Sequence, residues 1–89
     1  TDVRIALYKA GRNFVSRSQA RRVLAGLDTF SHIMLDFERV QTVGQGFADE
    51  VFRVWKQNHP KSLIEIRNAD ENVKMMIDHV KGKISPASR

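Results

Sequence analysis

The chain has 89 residues, 42% of them hydrophobic, which suits one small globular domain and is too apolar for a disordered segment. With no cysteine, disulfide frameworks and thiolate metal sites are excluded. No apolar run approaches the ~20 residues that span a bilayer, so a cytoplasmic chain with no membrane partner is expected. The formal net charge of +5 is uneven. Its excess is mostly N-terminal, at Arg4, Lys9, Arg12, Arg17, Arg21 and Arg22, where a basic patch would meet nucleic acid or an acidic protein, or simply keep the surface soluble.

In chain order, VRIALY (3–8) alternates Val3, Ile5 and Leu7 against Arg4, Ala6 and Tyr8, the period of a strand with one buried face. KAGR turns the chain, and NFV reads as a short second strand. In SRSQARRVLAGLD, Ala20, Val23, Leu24 and Leu27 fall at i, i+3, i+4 and i+7, an amphipathic helix opened by a Ser16–Gln19 capping box. HIMLDF (32–37) is nearly continuous apolar, which predicts a central strand covered on both faces. GFADEVFRVWKQN (46–58) predicts a second helix, with Phe47, Ala48, Val51, Phe52 and Trp55 inward and Asp49, Glu50, Arg53, Lys56 and Gln57 largely outward. His59-Pro60 ends it. SLIEIR (62–67) alternates as another strand. NADENVKMMIDHVKG places Val73, Met76, Ile77 and Val80 on one helical face, with Asn68 and Glu71 as the cap and Gly82 as the stop. Strands alternating with helices call for crossover connections and an α/β layer structure. A single domain over 1–82 and a polar tail over 83–89 are expected.

The chemistry-bearing candidates are few. V-G-Q-G-F (43–47) lies between the carboxyl end of the central strand and a helix start, where open α/β sheets hold ligands and helix N-termini attract anions. It lacks the third glycine of a dinucleotide fingerprint and the Gly-Lys-Ser/Thr of a phosphate loop, so a tight turn whose glycines supply special backbone angles is expected, and no cofactor. Asp49 and Glu50 are adjacent on a helix and point about 100° apart, so they do not converge on one substrate atom. Dipole complementation and solvation account for them. Asp36 interrupts an apolar strand, so it needs a partner or an exposed strand end. His32, His59 and His79 fall on separate elements with no metal-ligand spacing. Trp55 reads as core, Met75 and Met76 as filler, and Tyr8 alone is thin support for an RNA-binding sheet. No catalytic constellation emerges, and a hydrolase or transferase built on Asp36, Asp49 or Glu50 is the weakest reading.

SRSQARRVL, LDFERVQTVGQGFADEVFRVW, HP and IRNADENVKMMI together resemble the STAS-like domain family of unknown function, over about Gly11 to Val80. GQGFADE is the most specific part. That family is similar to true STAS domains, the fold of bacterial anti-sigma-factor antagonists and sulfate-transporter tails, in which an apolar strand and an aspartate precede an Asp-Ser-Ser-Gly stretch that opens a helix. Asp36 stands where the strand's acid belongs, Gly44 in the motif aspartate's place and Gln45 in that of the first serine. The resemblance implies a small mixed sheet of about four strands (β-β-α-β-α-β-α) with helices packed on it. It also implies a non-enzymatic regulatory job: presenting the strand-to-helix corner to a partner protein, a histidine-kinase-like ATPase in related domains. There the kinase phosphorylates that serine and the added charge ends binding. Gln45 accepts no phosphate, so the partner class carries over without the switch. The expected contact residues are Gly44, Gln45, Gly46, Asp49, Glu50 and Arg53, with the glycines letting a partner backbone approach. The rival expectation is nucleic-acid binding through Arg12, Arg17, Arg21 and Arg22, by salt-dependent phosphate contacts.

Overall fold

A computed structural model describes residues 2–83 of the chain. The tail expected over 83–89 lies outside them, apart from Lys83, the last residue of the final helix. The α/β class holds, but the strands form two small parallel sheets rather than one mixed sheet of four. β1 (Asp2–Ala6), β3 (His32–Asp36) and β5 (Leu63–Arg67) make a three-stranded sheet in the order β1-β3-β5. β2 (Asn13–Phe14) and β4 (Thr42–Val43) form a separate two-stranded pair. The reason lies just after β1. Leu7 is buried as its alternation predicts, but within a 3-10 turn, Leu7–Lys9, whose carbonyl at Leu7 accepts from Ala10 N–H. That turn takes the chain off the sheet plane, so Phe14 meets Val43 instead of folding back on β1.

The register sets Leu35 between Ile5 and Ile66, and Met34 between Arg4 and Glu65. Strand side chains alternate, so Val3, Ile5, Ile33, Leu35, Ile64 and Ile66 share one face and belong to or pack against the core. The opposite face carries Arg4, His32, Met34, Leu63 and Glu65. Leu63 is 58% exposed, and Met34 is half-buried and outside the core cluster. β3 is central, as predicted, but it is covered by helices on one face only. Its apolar run is broken in space where it looks continuous in sequence.

The helices are α1 (Arg17–Leu24), then α2 (Gln45–Asp49), which runs without a break through a π-helical segment (Glu50–Trp55) into α3 (Lys56–Asn58), and finally α4 (Glu71–Lys83). The Ser16–Gln19 capping box forms as read: Ser16 Oγ accepts from Gln19 N–H at 3.2 Å and Gln19 Oε1 accepts from Ser16 N–H at 3.0 Å. Residues 47–52 are all buried: α2 and its π extension lie against α1 and α4, and Phe47, Ala48, Val51 and Phe52 share one core cluster with Ile33 and Leu35 of β3. None of the described helices is long and apolar enough to cross a membrane.

The cap of α4 differs from expectation. Asp70 Oδ1 accepts from Val73 N–H at 2.9 Å, whereas Asn68 stands in a left-handed conformation (φ 59°) and turns its amide away from the helix. Asp70→Ala should therefore cost about 1 kcal/mol in urea unfolding with an unchanged m value, the ordinary loss of an N-cap.

Candidate functional site: the glycine corner and its ion pairs

The corner runs from Val43 through Gly44 into α2. Gly44 is extended (φ −87°, ψ 165°), a conformation open to any residue, and Gly46 lies inside the helix. Special backbone angles are therefore not what the glycines supply. A Cβ on Gly44 would lie 2.9 Å from Val15 Cγ1 and 3.0 Å from Val15 Cα and O, and one on Gly46 would lie 3.2 Å from Val15 O. The close backbone approach expected of a partner is made by the chain's own Val15. Gly44 N–H donates to Phe14 O at 2.8 Å, and Phe47 N–H to Val15 O at 3.0 Å. A helix-start donor that an anion would need is thus already engaged. Gln45 is exposed, and Val15 beside it is 53% exposed.

Asp49 and Glu50 do not face water. They are 8% and 9% exposed, turned toward α1, where Arg17 and Arg21 meet them. Arg53 grips Asp49 with both forks, Nε to Oδ1 at 2.5 Å and Nη2 to Oδ2 at 2.7 Å. Arg17 Nη1 reaches Asp49 Oδ2 at 2.7 Å and Glu50 Oε1 at 3.5 Å, and Arg21 Nε lies 3.5 Å from Glu50 Oε2. The Arg53 hydrogen bonds, seconded by Arg17 and opposed by burial, hold the Asp49 carboxyl well below the usual carboxylate range. It stays an anion at neutral pH and is no proton donor. The cluster also divides the expected basic patch. Arg17 and Arg21 are committed to α2, Arg12 borders a cavity beyond the strand ends, and Arg22 lies elsewhere, beside Phe14 and Gln19.

Asp36 is 3% exposed and finds the partners its position demanded. Asn68 Nδ2 donates to Oδ1 at 3.0 Å, Arg4 Nη2 to Oδ2 at 2.6 Å, and Glu38 N–H to Oδ1 at 3.0 Å. These donors outweigh burial and draw its pKa down to about 2. Residues from β1, the turn after β3 and the turn after β5 thus share one carboxylate of β3. The sequence shows that Asp36 needs a partner but does not single out Arg4 or Asn68 for that role. The available signal was Arg4 on the polar face of a strand that neighbours β3. Of the histidines, His32 Nε2 is 2.7 Å from Glu65 Oε1, and the His59 ring stacks on Trp55 at 4.0 Å. No three His, Asp or Glu side chains gather as a metal site among the described residues. Met75 is not filler. It is 68% exposed and, with Asn72, Met76 and His79 of α4, faces Thr42 and Val43 across a groove of about 600 Å³ that begins where the corner does.

Two outcomes follow from this geometry. Gly44→Ala should cost about 1–3 kcal/mol, because Val15 backbone must shift, while Gly82→Ala, whose Cβ meets nothing within 4 Å, should gain up to about 1 kcal/mol. Equal urea midpoints for the two variants would remove the close-approach explanation. The second outcome concerns acid. The native pKa of Asp36 lies below its unfolded value, so its contribution is complete above about pH 4 and is lost as pH falls toward 2. Urea midpoints measured from pH 7 to pH 2 should drop in that window, and the drop should be shallower for Asp36→Asn.

Gln19 to Lys74, the span from the first turn of α1 into α4, matches the family described as STAS-like domain of unknown function (DUF4325), residues 19–74. Neither a curated relative nor a solved structure matches the chain. The matched span covers more than half of the chain and includes β3, the glycine corner, the Asp49 ion pairs and β5. The chain belongs to the STAS-like family of domains of unknown function.

Proposed function

We propose that this domain is a non-enzymatic regulatory module of bacterial STAS-like type. In the cytoplasm, it offers the strand-to-helix corner to a protein partner of the histidine-kinase-like ATPase class, without a phosphoserine switch. The observation that carries this reading is Gln45: an exposed, neutral, hydrogen-bonding side chain on the first helical residue of a corner whose backbone is held by Phe14 and Val15. A rigid platform with one adaptable polar group suits recognition, because little ordering is needed on binding. The contact set differs from the one expected from sequence. Gly44 and Gly46 are packed by Val15, and Asp49, Glu50 and Arg53 are tied to one another and to α1, so they position the corner from behind. Gln45, Val15, Thr42 and Met75 are the side chains that remain for a partner, in line with the groove between β4 and α4. Nucleic-acid binding has less support, since two of its four arginines are neutralised by Asp49 and Glu50.

The test mixes the domain with purified ATPases of that class and follows heat of binding. Gln45→Arg and Val15→Asp should each weaken a complex at least tenfold, while Arg22→Ala leaves it unchanged. If both corner variants bind as the unaltered domain does, the corner is not the interface.

A further inference from the structure

The carboxyl ends of β1, β3 and β5 open on one edge of the sheet, and the loops that follow them enclose a cavity of about 400 Å³. This is the edge at which α/β sheets hold ligands, and the volume suits a small molecule. Phe37 and Val40, both buried, contribute apolar surface, and Arg12, Arg39, Gln41 and Asn68 contribute polar groups.

Among the described residues, two guanidiniums without a carboxylate ion-pair partner line this cavity. Of the eight arginines among the described residues, Arg4, Arg17, Arg21, Arg53 and Arg67 pair with carboxylates. Arg12, Arg22 and Arg39 do not, and two of those three line this one cavity. The carboxylates nearby are engaged. Asp70 also lines the cavity, but its Oδ1 caps Val73 N–H. Asp36 is saturated by Arg4, Asn68 and Glu38 N–H.

The backbone supplies an independent observation. Arg39 (φ 67°) and Asn68 (φ 59°) are the two non-glycine residues with positive φ among those described, and both border this cavity. Such conformations persist where the surroundings over-determine them, and they cluster at ligand sites. Asn68 is anchored by Asp36, and the Arg39 guanidinium stands 5.3 Å from the Tyr8 ring centroid.

We propose that this cavity binds a small-molecule phosphomonoester. Arg12 and Arg39 take the phosphate oxygens, and the Gln41 and Asn68 amides serve as neutral partners. Two guanidinium forks match a tetrahedral dianion with three terminal oxygens better than a monocarboxylate with two oxygens and one charge. The site does not depend on the corner reading, since neither arginine belongs to the partner surface proposed there.

The experiment titrates the full chain with inorganic phosphate and, separately, ribose 5-phosphate at constant ionic strength, following amide nitrogen–proton NMR spectra. Saturable shifts centred on residues 12, 39–41 and 68 are expected, with ribose 5-phosphate binding more tightly than inorganic phosphate. Arg12→Gln and Arg39→Asn, the latter chosen because asparagine tolerates the left-handed conformation, should each weaken ribose 5-phosphate at least tenfold. Arg22→Ala should change it less than twofold. Shifts that fail to saturate, shifts scattered over the surface, or an Arg22→Ala loss equal to that of Arg12→Gln would each overturn the proposal.

Discussion

The strand order β1-β3-β5 advances in one direction along the chain, and most of the structure depends on that constraint. Parallel crossovers are right-handed, so a sheet that never reverses its order receives all its helices on one face. Helices crowded onto one face cover each other as well as the sheet. The middle one, α2 with its π extension, is therefore flanked by α1 and α4, and six consecutive residues are buried along it. Two of the six are Asp49 and Glu50. Buried carboxylates are costly without partners, so the arginines of α1 that answer them fasten α1 to α2. Val15, just before α1, is drawn against Gly44 and Gly46. The corner is rigid because of that sequence of constraints, which begins in the topology of the sheet.

The same constraint leaves the other sheet face without helices. There Arg4, His32 and Glu65 are held by polar contacts rather than by packing. Arg4 reaches Asp36, and His32 reaches Glu65, which also receives Arg67 at 2.8 Å. Exposed pairs of this kind contribute little stability individually. Asp36 is the exception, because it is buried and its acceptor sites are used by three donors from three parts of the chain. It joins the strand ends at the edge where the arginine-lined cavity opens.

Periodicity made much of this legible. The alternation in VRIAL and LIEIR located β1 and β5, the stripes through Ala20–Leu24 and Val73–Val80 located α1 and α4, and the Ser16–Gln19 spacing gave the cap of α1. The GQGFADE stretch pointed to the family and to the corner. What failed did so for tertiary reasons. Asp49 and Glu50 read as solvent-facing because a one-sided helix is the usual case, and no local pattern announces a helix enclosed on several sides. The glycines read as suppliers of special backbone angles because nothing near them in sequence reveals that Val15, about thirty positions earlier, is their neighbour. Met34 made β3 look covered on both faces, since an apolar residue on an open face reads the same as one in a core. Asn68 looked like a cap but serves Asp36, and Asp70, two positions later, takes the cap.

The acids of this chain bear on the kind of function the fold can support. A proton-transfer group works best with its pKa near the operating pH and with an open coordination position for substrate. Asp36 and Asp49 are both displaced in the opposite direction, with their oxygens occupied by arginine, amide and backbone donors. Their charge is spent on holding strands and helices in place. The groups not tied to these acids are of another kind: the neutral amide of Gln45, the apolar tips of Val15 and Met75, and the guanidiniums of Arg12 and Arg39, the latter over the Tyr8 ring. Under the readings proposed above these are recognition groups, and Gln45 is mounted on backbone that Phe14 and Val15 hold. On those readings, substitution at these positions would change what is recognised while leaving the ion pairs of Asp36 and Asp49, in which none of these side chains takes part, intact.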